Sequence, residues 1–343
     1  MNIIFCLSYL SVNQTIFLIE QHGLENVQII TSNKRIESFF QLLYKEKKII
    51  YFLETASILL PKNLSQLFIF PLKLKIVFLK KNKAWSYFKS VSDCNIYFFF
   101  NSSGFFQAWL IQKLCTNNNI FYEENLNLDT FLPSNTRMTK LNTWFINKLY
   151  SEEVIPLNQN TGITYKISEK YLNKCNVNFI NIKYDFRTIV EIVISKLNLP
   201  SGDILYLPPL LNESKINRDL YINFIDDFIL LCKKENIKVH LKRHPRSSKK
   251  YSDENQLFDI PIYIPASFLV NYKLTIGLIS ASLFERANYG GLSISLIYLL
   301  YNNDHKILNS SIDYLKSNLK NGNQIFFPKN INELFNIIKL YIK

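Results

Sequence analysis

At 343 residues, with 48% hydrophobic content and only 8 Gly and 11 Pro, the chain is long enough for two cored domains and is neither disordered nor fibrous. Its net charge of +13 suits an acidic partner: nucleic acid, an anionic membrane surface or a phosphorylated small molecule. The basic residues are spread along the chain, densest at Lys80–Lys83 and Lys242–Lys250, and no nucleic-acid-binding motif accompanies them.

Five scattered cysteines (Cys6, Cys94, Cys115, Cys175, Cys232) include no C-x-x-C and are expected to be free thiols in a reducing compartment. Met1–Val12 is apolar but lacks a basic n-region and a cleavage site. The longest uncharged stretches, Met1–Ile19 and Cys94–Gln112, contain Asn, Gln and Ser. Neither a secretion signal nor a transmembrane helix is expected.

In chain order, Asn2–Leu7 reads as a buried strand, Asn13–Gln21 as a helix, Val27–Thr31 as a strand, Lys34–Tyr44 as a helix and Lys48–Leu53 as a strand. Leu67–Phe70 and Leu74–Leu79 carry no decisive period. Asn95–Phe100 is an aromatic strand, broken by Asn101–Gly104 before a helix at Phe105–Cys115; Asn119–Tyr122 is a further strand ending on Glu123-Glu124-Asn125. From Thr130 to Lys174 the pattern weakens around one helical segment, Lys140–Tyr150. The domains are therefore expected at 1–155 and 175–343, with 156–174 as linker.

Alternation resumes with a strand at Val177–Ile182, a helix at Phe186–Leu197, a strand at Asp203–Leu207 and a long helix at Arg218–Glu235. Pro261–Ile264 follows the next strand, then a core strand at Lys273–Ile279, a helix from Ser282 and an apolar strand at Leu292–Leu300. Gln324–Phe327 and the amphipathic helix Ile331–Ile342 close the chain. Such alternation predicts parallel sheets with crossover helices.

The richest stretch for chemistry is Ile237–Arg246. Ile237, Val239 and Leu241 alternate with His240, Lys242 and His244, and Pro245 ends the strand and biases His244 to an extended backbone. A cation and a titratable imidazole are thus expected on one face at a carboxyl strand end, where open α/β sheets bind ligands. Glu123 and Glu124 close a strand in the first half, and a partly buried carboxylate there can act as a general base. Ser280-Ala281-Ser282 opens a helix; Ser282 with Glu285 fits a capping box, leaving Ser280 as the better ligand contact. No P-loop, dinucleotide fingerprint, H-E-x-x-H or carboxylate cluster is present, so no metal and no cofactor are expected.

Taken in order, Glu123-Glu124-Asn125, Lys242-x-His244-Pro245 and Ser280-Ala281-Ser282 resemble the acidic pair, K-x-H-P stretch and hydroxyl pair of the bacterial sialyltransferases. The opening Ile3–Val12 is similar to the first strand and loop of the lipooligosaccharide sialyltransferases of glycosyltransferase family 52. Asn125 stands where that family has Gly, and Ala281 interrupts the hydroxyl pair. Ile264-Pro265-Ala266-Ser267 lacks an acidic residue that some relatives place near the cytosine.

The resemblance implies a GT-B-like fold: two Rossmann-like α/β domains with parallel sheets facing across a cleft. It implies an inverting, metal-independent transferase moving sialic acid, or a related nonulosonic acid, from a CMP-activated donor to a galactoside-like acceptor on a bacterial surface glycan. Glu123 or Glu124 would be the base, His244 would assist the leaving phosphate, and Lys242, Pro245, Ser280 and Ser282 would hold the donor. The enzyme would be cytoplasmic, in peripheral contact with the anionic inner membrane, with no nucleic-acid partner. Two other readings are a GT-B transferase using another nucleotide sugar, and a basic non-catalytic binder of nucleic acid or membrane. The C-terminal helix Ile331–Ile342 is expected to pack on the protein rather than to anchor it.

Overall fold

A computed structural model of the chain describes residues 1–45, 50–52, 64–99, 105–123, 158–160, 165–167, 175–209, 216, 218–244, 257–301, 305–320 and 322–342. The chain divides into two compact units, Met1–Ile189 and Val190–Lys343.

In the first unit, strands β1 (Asn2–Phe5), β2 (Val27–Thr31), β3 (Ile50–Phe52), β4 (Asn95–Phe99), β5 (Asn119–Glu123) and β8 (Val177–Ile180) form one sheet in the order β3-β2-β1-β4-β5-β8. All five pairings are parallel. Ile3, Ile4 and Phe5 of β1 are completely buried, as a strand covered on both faces requires; this explains an apolar run without alternation. Helices α1 (Val12–His22), α2 (Lys34–Tyr44), α3 (Leu64–Phe88) and α4 (Phe105–Leu114) follow β1, β2, β3 and β4. Asn33 accepts from the Arg35 amide to start α2, and Gly23 closes α1 with φ 79°. The short strands β6 (Asn158–Asn160) and β7 (Tyr165–Ile167) pair antiparallel.

The second unit repeats the plan. Strands β9 (Gly202–Leu207), β10 (Val239–Leu241), β11 (Phe258–Asp259), β12 (Tyr272–Gly277), β13 (Leu292–Ser295) and β14 (Ile325–Phe326) run parallel in the order β11-β10-β9-β12-β13-β14. Both sheets therefore have the Rossmann order, reversing direction between their first and fourth strands. The helices are α5 (Phe186–Lys196), α6 (Arg218–Lys234), α7 (Ala281–Asn288), α8 (Ile297–Leu300), α9 (His305–Ser317) and α10 (Ile331–Ile342). The expected class, two α/β units built on parallel sheets, is what the chain adopts.

Several expectations are corrected. Val177–Ile180 pairs with β5, so the first unit extends to Ile189 inside α5 instead of ending near 155, and the second begins at Val190 instead of 175. Polar Asn158-Gln159-Asn160, poor in strand formers, concealed a hairpin within the expected linker. The run Leu292–Leu300 is strand β13 followed by the short helix α8, because continuous apolar sequence has no period to separate the two. Leu67–Phe70 and Leu74–Leu79 lie in one 25-residue helix, α3. The segments Asn101–Gly104 and Lys140–Tyr150 fall outside the described residues.

Among the described residues no helix is long and apolar enough to cross a membrane. The C-terminal helix α10 packs on its own unit: Leu334, Ile338 and Ile342 join the core, Lys339 pairs with Glu235 at 3.2 Å, and Lys273 Nζ donates to the Ile342 carbonyl. Ile338→Ala is expected to cost about 2–5 kcal/mol in urea unfolding, because it opens a cavity. Leu340→Ala, at a position 72% exposed, should stay within about 0.5 kcal/mol.

Candidate active site

The carboxyl edges of the two sheets collect the polar side chains singled out by sequence, and each unit contributes a separate group. In the first, β5 ends on Glu123, which is only 9% exposed. The Ile182 amide, just beyond β8, donates to its Oε1 at 3.2 Å, and the Gln14 side chain from the first turn of α1 hydrogen-bonds it as well. Burial nevertheless dominates and pushes the carboxyl up to about 7, with both hydrogen bonds acting the other way. Gln14 Oε1 is buried without a hydrogen-bond partner among the described residues. Glu124 and Asn125 lie outside the described residues. Gln14 was not foreseen; the only signal was a polar residue in the first turn after a central strand.

In the second unit, Lys242 follows β10 and Ser280 follows β12, and these strands flank β9 at the point where the sheet reverses direction. Lys242 is buried, and its Nζ donates to the carbonyls of Arg243 and Ile262, both at 3.1 Å. His244 is exposed. Lys242 and His244 therefore differ in exposure. Strand geometry ends at Leu241, so the period of two cannot be carried into the following loop. Pro245 lies outside the described residues. Arg243, which sequence reading passed over, forms an ion pair through Nη2 with Asp259 and joins the ends of β10 and β11.

Ser280, not Ser282, caps helix α7. Its backbone is extended, its Oγ accepts from the Ser282 amide at 3.3 Å, and its carbonyl accepts from the Leu283 amide. The chain turns helical two residues earlier than the capping-box reading required, so Ser282 sits in the first turn and Glu285 is not its reciprocal partner. Glu285 is instead half-buried, and burial pushes it up to about 7. Arg286 donates to the Tyr272 carbonyl at 2.7 Å and packs where a Cβ at Gly291 would collide with its guanidinium.

His240 is buried between Phe258 and Tyr272, with Nδ1 at 2.6 Å from the Tyr272 hydroxyl and Nε2 unpartnered among the described residues. Burial, then the charge of Lys238, hold its pKa down, so it is a neutral core histidine. Among the described residues no group of three His, Cys, Asp or Glu side chains is placed to hold a metal.

No protein-family model matches the sequence, and no curated protein matches it. Solved structures resemble the chain over most of its length at low identity. UDP-GlcNAc 2-epimerase of Methanocaldococcus jannaschii, in complex with UDP-GlcNAc and UDP, is 10% identical, with 100% of this chain and 93% of that one covered and a TM-score of 0.46. The wall teichoic acid polymerase TagF is 16% identical over 99% of this chain and 80% of that one, with a TM-score of 0.41. The glycotransferase of kitacinnamycin is 9% identical over 99% and 88%, also with a TM-score of 0.41. At these identities and TM-scores the likeness assigns no activity, and the fold rests on the two sheets described above.

Because the folded Glu123 carboxyl lies near 7, above the 4.5 of a free carboxyl, burial favours its protonated form. Its contribution to stability is full below about pH 4.5 and is lost as pH rises through 7. Glu123→Gln should remove this loss, so wild type should fall by roughly 3 kcal/mol relative to the variant between pH 5 and pH 8. Urea midpoints at the two pH values measure it. Glu285 has the same sign in both proteins and cancels in the comparison.

Proposed function

We propose that the chain is an inverting, metal-independent glycosyltransferase that moves sialic acid or a related nonulosonic acid from its CMP-activated donor to a galactoside-like hydroxyl of a bacterial surface glycan. The observation that carries this reading is Glu123: a carboxyl at a carboxyl strand end, held near 7, is matched to taking a proton at neutral pH. Glu124 is the alternative base.

On this reading the second unit holds the donor nucleotide. A CMP donor leaves with one phosphate, whose charge a fixed cation and hydroxyls can balance without a metal. The Ser280 hydroxyl can donate its proton to an anion, and the start of α7 presents the positive end of the helix dipole. Lys242 supplies its charge from a fixed position beside β9, and exposed His244 donates a hydrogen bond to the departing phosphate. Ser282, in the first turn of α7, and Pro245, which sets the His244 backbone, complete the donor side. The order of these motifs along the chain, and their resemblance to the sialyltransferase set, support CMP over other nucleotides.

Calorimetry with CMP, UMP, UDP and GDP, followed by transfer assays from CMP-sialic acid to a galactoside, tests the reading. Glu123→Gln is expected to lower transfer by about two to four orders of magnitude while CMP still binds. The rate limb near pH 7, rising as Glu123 loses its proton, should vanish in that variant. His244→Ala should lower transfer over a similar range, and Ser280→Ala should weaken CMP binding. Binding and turnover with a UDP- or GDP-sugar, and not with the CMP donor, would replace the donor assignment. Full transfer by Glu123→Gln would remove the base.

A further inference from the structure

Helix α3 breaks the rule that a surface helix turns its apolar side inward. Val77, Ala84 and Phe88 pack into the first core, and Lys81 Nζ lies 5.3 Å from the centre of the Trp109 ring. Leu72, Ile76 and Leu79, spaced four and three residues apart, form a second row on the other side of the helix, continued by Lys83. That row is exposed, at 62% for Leu72, 41% for Ile76 and 61% for Leu79, with Phe78 beside it at 41%. Exposed large apolar side chains elsewhere in the described residues are scattered; here four fall within eight residues.

The charges in this helix are of one sign. α3 contains Lys73, Lys75, Lys80, Lys81 and Lys83 and no Asp or Glu; the flanking acidic residues are Glu54 and Asp93. Exposed Lys75 and Lys83 lie along the apolar row. We propose that α3 docks the protein on an anionic lipid surface, its Leu72–Ile76–Leu79 row entering the headgroup boundary and its lysines meeting lipid phosphates.

A bilayer satisfies both features at once, because lysine stems lie along apolar surface while their ammonium groups reach anionic headgroups. A nucleic acid would engage the lysines but give Leu72, Ile76 and Leu79 nothing to bury against. The rival lipid contact, α10, is already committed: its apolar side is in the second core, and Lys339 and the Ile342 carbonyl are paired. The proposal does not depend on the transferase reading.

Flotation of the full chain with vesicles of phosphatidylglycerol and phosphatidylcholine, against phosphatidylcholine alone, tests it. Wild type should float with the anionic vesicles only, and added salt should release it. Leu72→Ser/Ile76→Ser/Leu79→Ser and, separately, Lys75→Glu/Lys83→Glu should each lower the bound fraction by at least about tenfold. Both sets are solvent-facing, so circular dichroism and melting should match wild type; the charge pair keeps the test valid if the serine set melts early. Leu340→Ser/Tyr341→Ser, on the exposed side of α10, should float like wild type. The proposal fails if wild type does not float, if it floats equally with the neutral vesicles, if the serine set floats undiminished, or if the α10 pair abolishes flotation. Competition by RNA that persists in the serine set would mark a nucleic-acid surface instead.

Discussion

Both units depend on central strands that are covered on both faces. Ile3, Ile4 and Phe5 of β1, and Ile204, Leu205 and Tyr206 of β9, have no face left for water. A parallel sheet of this kind cannot carry charge along its length at an acceptable cost, so ionisable side chains are driven to the ends of the strands. Glu123 closes β5, Lys242 follows β10 and Ser280 follows β12. His240, inside β10, is kept neutral by burial and bonded to the Tyr272 hydroxyl.

This constraint explains what could be read from sequence. The strands β1, β2, β4, β5, β9 and β12 stand out because burial on both faces leaves continuous apolar runs bounded by polar turns, and the intervening amphipathic helices keep a clear 3.6-residue period. Parallel pairing then follows from the alternation itself. Glu123, Lys242 and Ser280 were visible for the same reason, since a polar residue just after an apolar strand lies at the ligand edge.

Other features were not legible, because they depend on partners distant in sequence. Val177–Ile180 reads equally well as the opening strand of a second domain; only its pairing with Ile120–Glu123 assigns it to the first. The two serines around Ala281 are equivalent caps until the backbone at Ser280 is seen to be extended. Lys242 and His244 share a parity, but parity means nothing once the strand has ended, and Lys242 turns to the Arg243 and Ile262 carbonyls. Gln14 gains significance only through Glu123, which is more than a hundred residues away in the chain. Helix α3 hid its period because it carries apolar residues on two sides, one for the core and one for solvent.

The positions of Glu123 and Glu285 carry an energetic consequence. Each carboxyl is raised to about 7 by burial, in different units. At neutral pH each is therefore divided between a charged form that burial penalises and a neutral form that it tolerates. A chain selected for stability alone would replace both with Gln or an apolar residue, since removing a desolvated charge costs nothing in the core. For Glu123 the Ile182 amide and Gln14 lower the cost of the anion without abolishing it. A carboxylate left short of hydrogen bonds in this way is more basic than one fully satisfied by them. Glu285 reaches the same range through burial, whereas Glu123 is held there against two hydrogen bonds that favour its anion.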